Sequence, residues 1–114
     1  MVLPETTRHR IQATLATYCV ERVPEGLRHE IKLGYQIRTT AVTLYQERLA
    51  DPGGWTKLVV AQLRYNVGLN HWKLYCSNRR SFGRWHRYDL APPAPSIEPL
   101  LAEIDHDPTG IFWG

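Results

Sequence analysis

The segment from Lys57 to Tyr88 combines basic and aromatic residues and contains no aspartate or glutamate. Its basic residues are Lys57, Arg64, Lys73, Arg79, Arg80, Arg84 and Arg87. Tyrosine, tryptophan and histidine are interleaved with them, most densely in the stretch HWKLYCSNRRSFGRWHRYD. Ammonium and guanidinium groups bind phosphates, and aromatic rings stack on bases. This composition is therefore typical of a surface that binds single-stranded nucleic acid or another polyanion.

The acidic residues are concentrated in a different part of the chain. The basic segment contributes +7 to a formal net charge of +3, so the remaining residues sum to −4. From Asp89 onward there are five acidic residues and no lysine or arginine. This asymmetry has two interpretations, an exposed anion-binding face or an acidic tail that folds back and neutralises the basic segment.

Alternation of apolar and polar residues predicts the strands that position these side chains. Strands are predicted at 57–67, 71–77 and 84–89, and the last two form a hairpin. In this register one face is apolar and forms the core, with Arg87 near its rim. The residues assigned to that core face are Val59, Ala61, Leu63, Tyr65, Val67, Trp72, Leu74, Cys76 and Trp85.

The opposite face then receives the candidate anion-binding residues. On it we place Arg64, Lys73, Tyr75, Arg84, His86 and Tyr88, with Arg79 and Arg80 in the connecting turn. The cations would hold phosphates, and the tyrosines and histidine would stack on bases. Exposed sheet faces also carry lysine, arginine and tyrosine without any ligand, because the stems cover the sheet while the polar heads stay in water. The sequence leaves both interpretations open.

Residues that could support catalysis are few. Glu47, His71 and His86 are the candidates for a small metal-dependent hydrolase, but the two histidines lack a third zinc ligand, so no metal or other cofactor is expected. The Glu-x-Lys of HEIK is found on a strand in some nucleases, but no aspartate precedes position 51 to hold a metal. No glycine-rich phosphate loop is present. The preferred interpretation is a non-enzymatic binding domain, and the presence of an activity stays open.

The remaining elements complete an α+β pattern. A helix is predicted at 5–23, strands follow at 30–38 and 41–49, and a short helix follows Ser96. The mostly short connections between consecutive strands favour an antiparallel meander, because parallel strands need long crossovers. We therefore expect a single α+β domain over 1–114, with a five-stranded antiparallel meander sheet and both helices packed on one face.

Composition bounds the class of protein. The fractions of 43% hydrophobic and 22% charged residues are typical of a globular domain. No apolar run approaches the ~20 residues of a membrane helix, and no signal peptide is visible, so no membrane partner is expected. Cys19 and Cys76 are too few for a disulfide framework, which predicts buried thiols and a cytoplasmic protein. An alternative function is a protein-interaction or homo-oligomerisation module that uses an open sheet edge or the terminal IFWG.

Four stretches, LGYQI, TLYQER, WKLYCSNRRSFGRWHRY and DPTGIFWG, resemble a bacterial family catalogued as domain of unknown function 3024. The likeness covers almost the whole chain and is most specific in the Trp-x-Leu-Tyr of strand four and the Trp-His-x-Tyr of strand five. It implies a bacterial, cytoplasmic, single-domain protein and no particular activity. Carried over by position, the motif residues are Gly34, Tyr35, Glu47, Arg48, Trp72, Tyr75, Trp85, His86 and Tyr88.

This chain departs from the family pattern at two places. Cys76 stands where the family usually has an aromatic residue, and NRRSFG stands where it often has an aspartate-containing turn. The resemblance therefore does not imply the extra basic charge. For Glu47 and Arg48 two roles are open: a solvated or locally paired charge on strand two, or one side chain of the two that reaches a pocket at the sheet edge.

Overall fold

A computed structural model of the protein describes residues 2–50, 53–77 and 84–113. The elements are α1 (Glu5–Glu21), a 3-10 turn (Glu25–Leu27), β1 (Ile31–Arg38), β2 (Ala41–Leu49), β3 (Trp55–Asn66), β4 (His71–Ser77), β5 (Trp85–Arg87) and α2 (Glu98–His106). The strands pair in sequence order, each antiparallel to the next. The predicted α+β meander is therefore confirmed.

Local sequence explains where α1 begins and ends. Pro4 precedes its first residue, a position at which the missing N–H of proline costs nothing. Ile11 and Leu15, four residues apart, are its buried residues. The last turn closes with the N–H of Arg22 on the carbonyl of Tyr18, two residues before Pro24. Neither helix of the described chain is long and apolar enough to cross a membrane.

Both helices pack on one face of the sheet, which we call the helix side. The fully buried side chains there include Leu15, Val42, Leu44, Leu63, Trp72, Leu74, Ile97, Leu100 and Ile104. Val42 and Leu44 thus lie on the core face of β2. The core joins the two helices to the middle of the sheet.

β3 departs from the predicted alternation at Val60. The register of β2 with β3 shifts between Leu44 and Tyr45, which leaves Val60 as an extra residue in β3. Such a bulge exchanges the faces of the residues beyond it. Val60 is buried whereas Val59 is 47% exposed, so the prediction that Val59 lies on the core face is wrong. Val67, also assigned to the core, lies beyond the end of β3 and is exposed.

The register of β4 with β5 differs from the prediction by one residue. Ser77 lies opposite Trp85, and Cys76 lies opposite His86. Because paired residues share a face, Trp85 points away from the helices and His86 lies on the helix side. The predicted faces of both residues are therefore wrong, and Arg87 is also displaced from the core rim.

The physical reason for this slip is the burial of Tyr88 in place of Trp85. The N–H of Tyr88 donates to the carbonyl of Leu74 at 2.9 Å, and its ring centroid lies 4.9 Å from that of Phe112. The hydroxyl donates to the Glu103 carboxylate at 3.2 Å. Tyr88 is only 5% exposed, so its predicted outward position is wrong.

Candidate anion-binding face of the sheet

The face that points away from α1 and α2 is called the open face. Its strand residues are Lys32, Gly34, Gln36, Arg38, Ala41, Thr43, Tyr45, Glu47, Leu49, Trp55, Lys57, Val59, Gln62, Arg64, Asn66, His71, Lys73, Tyr75, Ser77, Trp85 and Arg87. Six of these are lysine or arginine, and one is acidic. Three of the six cations lie over aromatic rings of the same face.

Arg64 and Tyr75 form the most constrained of the three pairs. The Cζ of Arg64 lies 3.9 Å from the centroid of the Tyr75 ring. The Nε of Arg64 donates to Gln62 Oε1 at 2.7 Å, and Gln62 Nε2 donates to Thr43 Oγ1 at 3.0 Å. Side chains from three strands therefore fix the guanidinium on the ring. Its terminal N–H groups lie at the outer end of the group and suit a bidentate anion such as phosphate.

The second pair is Lys57 with Tyr45, and its aromatic ring packs on a glycine of β1. Tyr45 lies opposite Gly34, and a Cβ added to Gly34 would lie 2.7 Å from the end of the Tyr45 ring. The ring therefore rests on the bare backbone of β1. The Nζ of Lys57 lies 3.9 Å above the same ring. This close approach accounts for a glycine within a regular strand.

The third pair lies at the far end of the sheet. The Nζ of Lys32 lies 4.3 Å from the ring centroid of Trp55, which is 41% exposed. Neither residue belongs to the predicted site, and Tyr45 and Lys57 do not either. The bulge at Val60 explains the omission of Trp55 and Lys57, because simple alternation carried past it assigns the start of β3 to the wrong face. The Trp-x-Lys of β3, which lies opposite the Glu-x-Leu of β2, was the available signal.

Part of the predicted anion-binding set is brought together by the structure. Arg64, Lys73 and Tyr75 are half-buried neighbours on the open face, with Lys73 directly opposite Arg64. Arg84 is exposed immediately before β5. Outside the described residues lie Arg79 and Arg80. Trp85, which was assigned to the core, is half-buried on the open face.

His86 and Tyr88 do not belong to the open face. His86 is exposed at the sheet edge, on the helix side of β5. Tyr88 belongs to the core, where burial and the hydrogen bond to Glu103 raise its pKa. Neither ring is therefore placed to stack on a base held by Arg64 and Lys73.

The acidic tail is engaged on the helix side. Asp105 accepts hydrogen bonds from the Tyr18 hydroxyl and the Arg22 Nε, both at 2.8 Å. Burial and this carboxylate together raise the pKa of Tyr18. Asp107 accepts the backbone N–H of Trp113 at 2.9 Å. These contacts hold α2 and the residues after it against α1 and away from the open face.

Three carboxylates of the described residues lie on or beside the open face, and one of them is Glu30, which directly precedes β1. Glu47 stands between Lys32 and Lys57 in the strand ladder. Asp89 Oδ1 lies 3.7 Å from Arg87 Nε at the β5 edge, and both side chains are largely exposed. They offset part of the positive charge and leave the Arg64–Lys73 neighbourhood unchanged.

Glu47 and Arg48 take different roles because they alternate across β2. Glu47 is on the open face. Arg48 is on the helix side, where it lines a cavity of about 210 Å³ with Gln46, Arg22 and Trp113. The Nε of Arg48 donates to Gln46 Oε1 at 3.0 Å. Of the two roles predicted for this pair, a side chain that reaches a pocket thus applies to Arg48.

Two further family-motif positions support the core. Trp72 is 1% exposed, and its ring centroid lies 4.8 Å from that of Tyr65. Tyr35 is half-buried against the core, opposite Leu44. Burial raises the pKa of Cys76, in keeping with a structural thiol.

The residues suggested for a metal-dependent hydrolase are not brought together. Glu47 pairs with Lys57 and His71 pairs with Asn66, nine residues apart on β3. At ~3.4 Å per residue this separation is roughly 30 Å. His86 lies on the other side of the sheet. In the described part of the chain no three His, Cys, Asp or Glu residues are grouped as metal ligands.

Comparisons with known proteins give one result about identity. No curated protein and no solved structure matches the chain. The model of one family matches residues 3–114. The chain belongs to that family, described as Domain of unknown function (DUF3024).

Proposed function

We propose that the open face binds single-stranded nucleic acid through cations that aromatic rings hold on the sheet. The observation that carries this proposal is a set of three cation–aromatic pairs on one face: Lys32 with Trp55, Lys57 with Tyr45, and Arg64 with Tyr75. Phosphate contacts from such cations supply most of the affinity of sequence-independent binding. The proposal therefore concerns a binding domain and requires no reaction.

Contact with aromatic rings fixes the positions of the cations before binding, which favours phosphate binding. Immobilising a flexible side chain on binding costs about 0.5–1.5 kcal/mol. Arg64 already has its guanidinium fixed by Tyr75 and Gln62, so much of this cost is met in the free protein. In this proposal the Tyr75 ring holds the Arg64 guanidinium in place. The sequence suggests a different role for Tyr75, base stacking.

The row of cations on β3 has a length that suits a single strand of nucleic acid, and an exposed aromatic ring lies at one end of it. Lys57 and Arg64 are seven residues apart on β3, which corresponds to about 20 Å. Trp55 lies just beyond Lys57 and is 41% exposed, so part of its ring is available to a base. Stacking of a base on an aromatic ring contributes roughly 1–3 kcal/mol. A duplex would present its bases to Trp55 only after unpairing.

Salt dependence of binding tests the proposal. The probe is a fluorescent oligothymidylate of about 16 nucleotides, the upper end of common site sizes. With phosphate contacts from Lys32, Lys57, Arg64 and Lys73, the affinity should fall about fiftyfold between about 50 and 200 mM salt. Arg64→Gln should lower the logarithmic salt slope by about 0.7. Arg8→Gln, the same charge change on the exposed side of α1, should leave the slope unchanged.

A second variant separates the ring from the charge. Tyr75→Leu keeps an apolar side chain under Arg64 but removes the π face, so it should weaken binding with little change in salt slope. Binding that ignores salt, or equal losses in the Arg8 and Arg64 variants, would contradict the proposal. A general polyanion site would be indicated if heparin bound more strongly than the oligothymidylate and Trp55→Ala left oligothymidylate affinity unchanged.

A further inference from the structure

We infer that β1 is an interface at which two copies of this chain pair edge to edge. β1 is the terminal strand of the sheet and runs for eight residues without a bulge or a proline. Monomers usually blunt such edges with prolines, bulges, short strands or charged side chains, and of these devices β1 carries charged side chains, Lys32 and Arg38. The opposite edge is different, because β5 has three residues and Ala94 then pairs with Trp72 of β4.

The outward backbone groups of β1 can be assigned from its inner ladder. The N–H of Leu49 donates to the carbonyl of Glu30 at 2.8 Å, so position 30 is hydrogen-bonded to β2. In an antiparallel ladder such positions alternate, which directs the even-numbered residues of β1 toward β2. The residues that direct both N–H and C=O to the free edge are Ile31, Leu33, Tyr35 and Ile37. A second β1 must therefore match odd-numbered residues with odd-numbered residues.

Charge selects one register among those allowed. In the two-fold pairing centred on Gly34, Glu30 lies opposite Arg38 of the other copy, twice by symmetry. Both side chains are exposed, so each pair can form on the open face. The pairing centred on Tyr35 would instead oppose Lys32 and Arg38, which repel. The pairing centred on Leu33 would lose the Glu30–Arg38 pairs.

The Gly34 register also places apolar side chains of the two β1 strands opposite one another. On the helix side it pairs Ile31 with Ile37 and Leu33 with Tyr35, all of them apolar or aromatic. At the symmetry axis the two Gly34 residues form a non-hydrogen-bonded pair, in which the Cα atoms of the two strands are closest. Gly34 has no side chain at the axis, and the end of the Tyr45 ring occupies the space where its Cβ would lie. The product is a ten-stranded sheet with a closed two-fold interface, in which the two open faces are continuous.

Disulfide trapping tests the register directly. Lys32 lies opposite Gln36 of the other copy in a non-hydrogen-bonded pair, whose spacing suits a disulfide. An equimolar mixture of Lys32→Cys and Gln36→Cys proteins, oxidised without nucleic acid, should give mostly the mixed dimer. Each variant alone should give little covalent dimer. The native thiols should not compete, because Cys76 is buried and burial raises the pKa of Cys19 to about 11.

Charge reversal tests the same register without new thiols. By sedimentation equilibrium, Arg38→Glu should weaken the dimer at least tenfold, and the double variant Glu30→Arg, Arg38→Glu should restore it. Arg84→Glu, the same charge change beside β5, should leave the dimer unchanged. A wild-type protein that stays monomeric to millimolar concentration would overturn the inference. Failure of the double variant to restore the dimer, or mixed disulfides no more abundant than homodimers, would also overturn it.

Discussion

Replacing Tyr88 by alanine tests the register of β5, on which the composition of the open face depends. Tyr88 is 5% exposed and packs on Phe112, and its hydroxyl donates to Glu103. Truncating a buried aromatic residue to alanine costs about 3–5 kcal/mol of stability. Within that loss, the Phe112 ring pair contributes about 0.5–1.5 kcal/mol. We expect Tyr88→Ala to lower the free energy of unfolding by about 4 kcal/mol.

Tyr75→Ala is the matched control on the open face. Its main loss is the contact with Arg64, worth about 1 kcal/mol for a half-buried cation–aromatic pair. Urea unfolding followed by tryptophan fluorescence gives both free energies, provided that the slope with urea is unchanged. Tyr88→Phe removes only the hydroxyl hydrogen bond and should cost about 0.5–1.5 kcal/mol. This variant stays measurable if the alanine variant is too unstable to fold.

Equal losses in the two alanine variants would refute the reasoning. Such a result would mean that Tyr88 is solvent-facing, as the register with Trp85 in the core requires. Trp85→Ala would then be the more destabilising change, whereas the observed register makes it the milder one. The comparison therefore separates the two registers whatever the absolute stability of the domain.

Two further predictions concern pH and Gly34. The pKa values of Tyr18 and Tyr88 are raised by burial and by their carboxylate acceptors above the unfolded value of ~10. Their stabilising contribution is therefore complete below pH ~10 and is lost as pH rises through the folded-state pKa values. Urea unfolding should show stability falling above that pH, and falling less in Tyr18→Phe; equal curves would contradict this. Gly34→Ala should displace the Tyr45 ring and destabilise by about 1 kcal/mol, but in a Tyr45→Ala background it should stabilise by about 0.5 kcal/mol. The same sign in both backgrounds would show that the ring does not rest on Gly34.

The regular parts of the sheet could be predicted from the sequence because alternation there is unambiguous. In β1 and β4 the aliphatic residues and Trp72 occupy one parity and the charged residues occupy the other, so a slip would bury charges. Arg64, Lys73 and Tyr75 lie in these regular parts or directly beside them. Their common face was therefore predicted correctly.

The irregular parts could not be predicted for two different physical reasons. From Leu58 to Ala61 both parities of β3 are apolar, so alternation does not show where an extra residue lies. The three paired residues of β5 are too few to fix a register by themselves. The choice of Tyr88 over Trp85 depends on Phe112 and Glu103, which are distant in sequence. Prediction failed where the deciding contacts were long-range.

The described part of the acidic tail folds back onto the helix side of the sheet. α2 packs on the helix side, and Asp105 is bound there by Tyr18 and Arg22. A sheet and a layer packed on it are separated by about 10 Å. The Debye length at physiological ionic strength is about 8 Å, so exposed carboxylates on the helix side act weakly across the sheet. The local field at Arg64 and Lys73 is therefore set mainly by the open face itself. A modest net charge of +3 is thus compatible with an anion-binding face.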